Sequence, residues 1–129
     1  MSVKDVAHGL VEQCKQGDFL GAVERFYGDE IVSIEPVGSD EMPAEMHGKD
    51  AVRKKGEWWD ENYEVHDVQV KGPYVGQNEF AVQFHMDVTH KPSGHRTSWT
   101  EMALYQVRDD KIVREQFFYN PTGSEAAQS

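Results

Sequence analysis

Phe80-Ala81-Val82-Gln83-Phe84-His85-Met86-Asp87-Val88 alternates between two faces, with Phe80, Val82, Phe84, Met86 and Val88 on one and Ala81, Gln83, His85 and Asp87 on the other. A period of two marks a β-strand with one face turned to a core. The same period runs through 65–71, 80–91, 96–108 and 111–120, and the breaks between these runs carry turn residues: Gly72-Pro73, Gly76-Gln77-Asn78, Pro92-Ser93-Gly94 and Asp109-Asp110. Four long strands joined by short turns form an antiparallel meander.

Upstream of the meander the period becomes helical. Val3, Val6, Ala7, Leu10, Val11 and Cys14 recur at three- and four-residue spacing up to Gly17, and Phe19, Leu20, Ala22, Val23, Phe26 and Tyr27 do so between Asp18 and Gly28. Ile31 to Glu35 is β-branched and short and predicts one strand, closed by Pro36-Val37-Gly38-Ser39 and followed by an irregular loop over 36–47. A third helix is predicted over 48–63, with Ala51, Val52, Trp58, Trp59 and Tyr63 on one side. Lys49, Glu57, Glu61 and the Arg53-Lys54-Lys55 run are read as its solvated face. Helices first and long strands after them make an α+β order, in which three N-terminal helices cover one face of a strongly curved antiparallel sheet. A cone of this kind leaves an apolar hollow of the sort that takes small ligands.

One domain over 1–122 is expected, with a polar tail at 123–129, since 129 residues cannot support two cores. Thirteen basic and 23 acidic residues give a formal net charge of −10, which opposes binding to nucleic acid or to an anionic membrane. No run reaches the roughly 20 apolar residues of a membrane helix, and a cytoplasmic location is expected. Cys14 is the only cysteine and lies on an apolar stripe, which favours a small buried side chain over a nucleophile.

Three segments together carry a resemblance: Phe26-Tyr27-Gly28-Asp29-Glu30-Ile31-Val32-Ser33-Ile34-Glu35-Pro36-Val37-Gly38, then Gly48-Lys49-Asp50-Ala51-Val52-Arg53, then Asp109-Asp110-Lys111-Ile112-Val113-Arg114-Glu115-Gln116-Phe117-Phe118-Tyr119. In order and separation they resemble the SnoaL-like, polyketide cyclase-like family of the nuclear transport factor two-like superfamily, related to ketosteroid isomerases. The resemblance implies a cystatin-like α+β barrel and, in many relatives, a homodimer formed through the outer sheet face. It also implies that Glu35, just before Pro36-Val37-Gly38, is a general base acting beside a carbonyl group. The two donors that isomerases aim at an enolate oxygen fall on Leu10 and near Ala103, so both are missing, and Glu101 on the same strand face as Ala103 is the available replacement acid. The late aspartate of the related epoxide hydrolases falls on Phe117.

Strand alternation leaves two directions open for Glu35, because Val32 and Ile34 take the other face. His85 and Asp87 are open in the same way. If the polar face of 80–88 meets the hollow, His85, Asp87, Glu101 and Glu115 converge on a ligand, and a histidine held by a carboxylate suits proton transfer near neutral pH. If that face meets water or a second subunit, Phe84 and Met86 line the hollow instead. Trp58, Trp59, Tyr105, Glu115, Phe117 and Tyr119 are the expected pocket residues in either case. His90 and His95 flank a hairpin turn, their spacing with His85 and Asp87 fits no closed zinc site, and no metal is expected. No phosphate-binding glycine loop or dinucleotide fingerprint occurs, so no cofactor is expected. The partners expected are a small apolar or aromatic ligand and a second copy of the chain. Three functions fit: cofactor-free proton-transfer chemistry by a carboxylate or histidine base, ligand binding without turnover, and a scaffold whose cone is filled by its own Trp and Phe side chains.

Overall fold

In the computed structural model, which describes residues 2–120, three helices pack on one face of a six-stranded sheet. The polar tail expected at 123–129 and the last two residues of the expected domain lie outside the described residues. Helix α1 (Val3–Lys15) begins at Ser2, whose hydroxyl accepts from the Asp5 amide while the Asp5 carboxylate accepts from the Ser2 amide, so two orphan donors are satisfied together. Its buried stripe is Val6, Ala7, Leu10, Val11 and Cys14. Asp18 caps helix α2 (Phe19–Phe26) by accepting from the Gly21 amide at 2.9 Å.

Gly28 does not end that helix in a turn. Tyr27 is already extended, and the chain runs straight into strand β1 (Tyr27–Ile34). The irregular loop expected at 36–47 contains a short strand β2 (Glu45–His47) that pairs with β1, and Gly48 then leads into helix α3 (Lys49–Asn62) with a positive φ of 94°.

Strands β3 (Tyr63–Val75), β4 (Glu79–His90), β5 (His95–Arg108) and β6 (Lys111–Phe118) form the expected antiparallel meander. The turn expected at Gly72-Pro73 lies instead inside β3, as a break in register between Lys71 and Tyr74. A proline is tolerated there because β3 is an edge strand with a free side. Asp109 and Asp110 form the β5–β6 turn with φ of 52° and 65°, a pair of left-handed residues that suits the twist of a two-residue hairpin.

One expectation needs correction: the sheet is mixed, not antiparallel throughout. Its order is β2-β1-β6-β5-β4-β3, and β1 runs parallel to β6. Local alternation reports which face a side chain takes, but it carries no information about the direction of a strand whose partner lies about 80 residues away. The sheet curves without closing, with β2 and β3 at its two edges, so the barrel implied by the resemblance is an open one. The core lies between its concave face and the helices, around Phe26, Leu10, Ile31, Phe80, Val82 and Ile112.

Candidate active site

Phe84 sits opposite Glu101 and Met86 opposite Trp99, and directly paired residues on antiparallel strands share a face. Phe80, Val82, Phe84, Met86 and Val88 are all buried, so the apolar face of β4 is the concave one. On the next pair, Ala103 meets Phe117 and Tyr105 meets Glu115; between β6 and β1, Glu115 meets Ser33. The inner surface therefore carries a row of polar groups, Glu101, Tyr105, Glu115 and Ser33, set in an apolar wall.

A cavity of about 840 Å³ opens above this row. Its wall includes all six expected pocket residues, Trp58, Trp59, Tyr105, Glu115, Phe117 and Tyr119, together with Glu35 and Glu101. Trp59 is stacked on Tyr63 at 4.1 Å between ring centroids and meets Trp99 edge-on at 5.9 Å. The hollow is not filled by these rings, which stand along its side.

His85 and Asp87 are not part of it. They lie on the convex face, where the His85 ring nitrogen Nδ1 is 2.9 Å from Thr100 Oγ1 and the Asp87 carboxylate accepts two hydrogen bonds from the Arg96 guanidinium. That ion pair holds the Asp87 carboxyl below the usual range. The convergence of His85 and Asp87 with Glu101 and Glu115 is thus corrected: burial of the five apolar side chains on the other face of β4 outweighs a lining role for two polar ones.

Glu35 follows Ile31 and Ser33 on the inner face, although it lies just beyond the end of β1. Its Oε2 accepts from Lys55 Nζ at 2.8 Å and its Oε1 from the Tyr119 hydroxyl at 3.1 Å. The Lys55 ammonium also donates to Ser33 Oγ at 2.8 Å and stands 5.1 Å from the centre of the Phe117 ring. Lys55, read from sequence as solvated, is turned inward with only 21% of its side chain exposed. The signal was present: Val52, Lys55 and Trp59 are spaced three and four apart, one stripe of α3, and a carboxylate and a hydroxyl meet the charge at its end. Ser33 and Tyr27, which the sequence reading also missed, complete the network. Ser33 Oγ donates to Glu115 Oε2 at 2.6 Å and the Tyr27 hydroxyl donates to Oε1 of the same carboxylate.

Gly38 explains the turn that carries the resemblance. A β-carbon on it would sit 2.1 Å from the Ala44 amide nitrogen, so the loop returns close enough for the Glu35 amide to donate to the Ala44 carbonyl at 2.8 Å only with glycine at that position.

The two deeper acids differ in surroundings. Glu115 is 2% exposed; burial raises its carboxyl, while Lys55, Ser33 and Tyr27 oppose the rise. Burial also raises the phenols of Tyr27 and Tyr105, and burial next to Glu35 raises that of Tyr119, so all three are hydrogen-bond donors at neutral pH. Glu101 faces the hollow with one weak partner, Trp99 Nε1 at 3.4 Å. Desolvation first, and the nearby Glu35 charge second, push it up to about 7. Cys14 also borders the cavity, but burial pushes its thiol up to about 12, so it is an inert wall residue at neutral pH.

The fold is that of the nuclear transport factor two-like class. Within that class the sequence pattern of the SnoaL-like domain matches residues 1–119, and the chain belongs to the SnoaL-like family. A protein from Mesorhizobium loti, whose solved structure is provisionally named a SnoaL-like polyketide cyclase, is 43% identical, with a TM-score of 0.86 over 92% of this chain and 100% of that one. An NTF2-like protein of unknown function from Burkholderia pseudomallei has a TM-score of 0.76 at 14% identity, covering 93% of this chain and 92% of its own. A protein with a ketosteroid isomerase-like fold from Catenulispora acidiphila, solved with trimethylamine, has a TM-score of 0.73 at 17% identity, covering 95% and 91%. At those identities the last two show likeness of fold alone. No curated protein matches the chain. Among the described residues no helix is long and apolar enough to cross a membrane.

Proposed function

We propose that the cavity binds a small, mainly aromatic carbonyl compound and that Glu101 moves a proton beside the carbonyl group, a cofactor-free cyclase or isomerase reaction. The observation that carries this reading is the pairing of two unlike carboxylates in one hollow. Glu35 is ion-paired and has both oxygens engaged, whereas Glu101 is desolvated with its oxygens nearly free. A carboxylate poised near neutrality takes and returns a proton with little mismatch to either side. Glu35, the base implied by the resemblance, becomes the fixed charge beside it. Incubation in D2O with enolisable aryl ketones tests this: the wild type is expected to exchange the hydrogen next to the carbonyl, Glu101→Gln to lose the exchange, and Glu35→Gln to retain part of it. Exchange at the wild-type rate in Glu101→Gln removes Glu101 as the base.

Binding without turnover is supported by one observation. Leu10 lines the cavity and Ala103 packs on its inner face, so the neutral donors expected for an enolate oxygen are replaced by apolar side chains. Saturable ketone binding with no exchange in any variant decides for that reading.

We also propose that the convex face meets a second copy of the chain. Met102 and Phe118 are direct cross-strand neighbours there, 37% and 48% exposed, an apolar pair in the middle of the sheet.

A further inference from the structure

The missing donors leave a question that the same cavity answers. An ammonium group has three N–H bonds. In Lys55 two of them reach Ser33 Oγ and Glu35 Oε2, both at 2.8 Å, which leaves one N–H over on a nitrogen that stands 5.1 Å from the centre of the Phe117 ring, in the wall of a hollow that Lys55, Phe117 and Glu101 line together. Both acceptors are themselves held. Ser33 is fully buried and donates to Glu115, whose other oxygen accepts from Tyr27. Glu35 accepts from the Tyr119 hydroxyl at 3.1 Å. A half-buried lysine in the wall of a ligand space, with two acceptors engaged and one N–H left over, is a preorganised site for a developing negative charge.

We infer that Lys55 is the electrophile of this cavity, its third N–H holding the oxygen of a bound enolate or phenolate. The inference rests on the cavity being the ligand site proposed above, and it adds the group that the family pattern puts at the positions of Leu10 and Ala103. In the step, a C–H bond next to the carbonyl breaks, its proton passes to a Glu101 oxygen, and its electron pair moves through the new C=C bond onto the carbonyl oxygen. The Lys55 ammonium stabilises that oxygen without losing its proton. Return of the proton from Glu101 to carbon restores both groups. Glu35 is then a positioning residue that holds Lys55 in place and balances its charge. The ligand class follows from the chemistry: an aryl ketone or phenol whose oxygen reaches Lys55 while its ring lies among Trp59, Trp99 and Phe117.

The test uses 4-nitrophenol, whose absorbance reports its ionisation and which needs no turnover. With wild-type protein in excess, the bound phenol is expected to ionise at a pH lower than in water by a unit or more. Lys55→Met and Lys55→Gln are expected to abolish that shift and to weaken phenolate binding about tenfold or more, the consequence of removing one charge-assisted hydrogen bond. Lys55→Arg retains the charge and is expected to keep most of the shift. It also guards against loss of structure in the neutral variants, since a folded Lys55→Arg protein that binds the phenol only in its neutral form overturns the inference. An unshifted ionisation in the wild type overturns it, as does an undiminished shift in Lys55→Met. Borohydride reduction with an aryl ketone that leaves a covalent adduct on Lys55 also overturns it, since that is amine chemistry and not electrostatic stabilisation. Failure is separable from failure of the proton-transfer reading: Lys55-dependent phenolate binding without ketone exchange overturns only the reaction, and exchange that is unchanged in Lys55→Met overturns only the role of Lys55.

Discussion

Ser33 and Glu115 face each other across the parallel β1–β6 pair, with 2.6 Å between Oγ and Oε2, and both are almost wholly excluded from solvent. Two strands whose partners lie far apart in the chain are thereby tied by a polar contact at the floor of the cavity. Glu115→Ala leaves the buried Ser33 and Tyr27 hydroxyls without their acceptor, and the expected cost is about 2–4 kcal/mol of stability, read as a lowered urea midpoint. Glu115→Gln keeps the volume and one acceptor oxygen, and is expected to lose less than half as much.

Glu101 couples the site to stability through pH. Its carboxyl rises from 4.5 to about 7 on folding, so between these values the unfolded chain gives up the proton first. Below pH 4.5 the group is protonated in both states and costs nothing; stability then falls as pH rises, and the loss is complete above pH 7. At about 1.4 kcal/mol per unit the full effect is about 3 kcal/mol. Glu101→Gln is expected to remove it, making the variant more stable than the wild type at pH 8 and little changed at pH 4, as measured by chemical denaturation at the two values. Equal effects at both pH values contradict the burial of this carboxylate.

Gly38→Ala is expected to displace the 36–44 loop, because the added methyl meets backbone at 2.1 Å and backbone cannot turn aside as a side chain can. The Glu35 amide then loses the Ala44 carbonyl, and ketone or phenol affinity is expected to drop about tenfold while the core is retained. Unchanged ligand titrations in this variant contradict the role given to the turn.

Phe118→Glu places a charge in the middle of the convex face beside Met102. Light scattering after size exclusion is expected to show a dimer for the wild type and a monomer for the variant, with the cavity intact by phenol binding. A monomeric wild type contradicts the proposed contact.

The meander and the helical stripes were legible because their periods are long and regular, and alternation sorted the side chains of β4, β5 and β6 into two faces. What alternation could not settle was which face of β4 turns inward, and there the five apolar side chains from Phe80 to Val88 outweighed His85 and Asp87. At Glu35 the apolar Val32 and Ile34 pointed to the opposite answer, because the inner face of β1 holds a hydroxyl: Ser33 is inside to serve Glu115, a contact 82 residues away in sequence. Lys55 was hidden by its neighbours Arg53 and Lys54. Charge runs are read as solvated, yet only its position on the stripe of Val52 and Trp59 shows where a helix sends it. Ser33, by contrast, is legible only once its partner Glu115 is known, and that partner comes from the tertiary fold.

The central claim is that the concave face of the sheet holds a desolvated carboxylate in an aromatic-walled hollow, ready to exchange a proton near neutral pH. Carbon-13 NMR titration of the Glu101 carboxyl, assigned by its absence in Glu101→Gln, tests this most directly. A midpoint close to 7 is the expected result. A midpoint near 4.5, that of a solvated glutamate, contradicts the account.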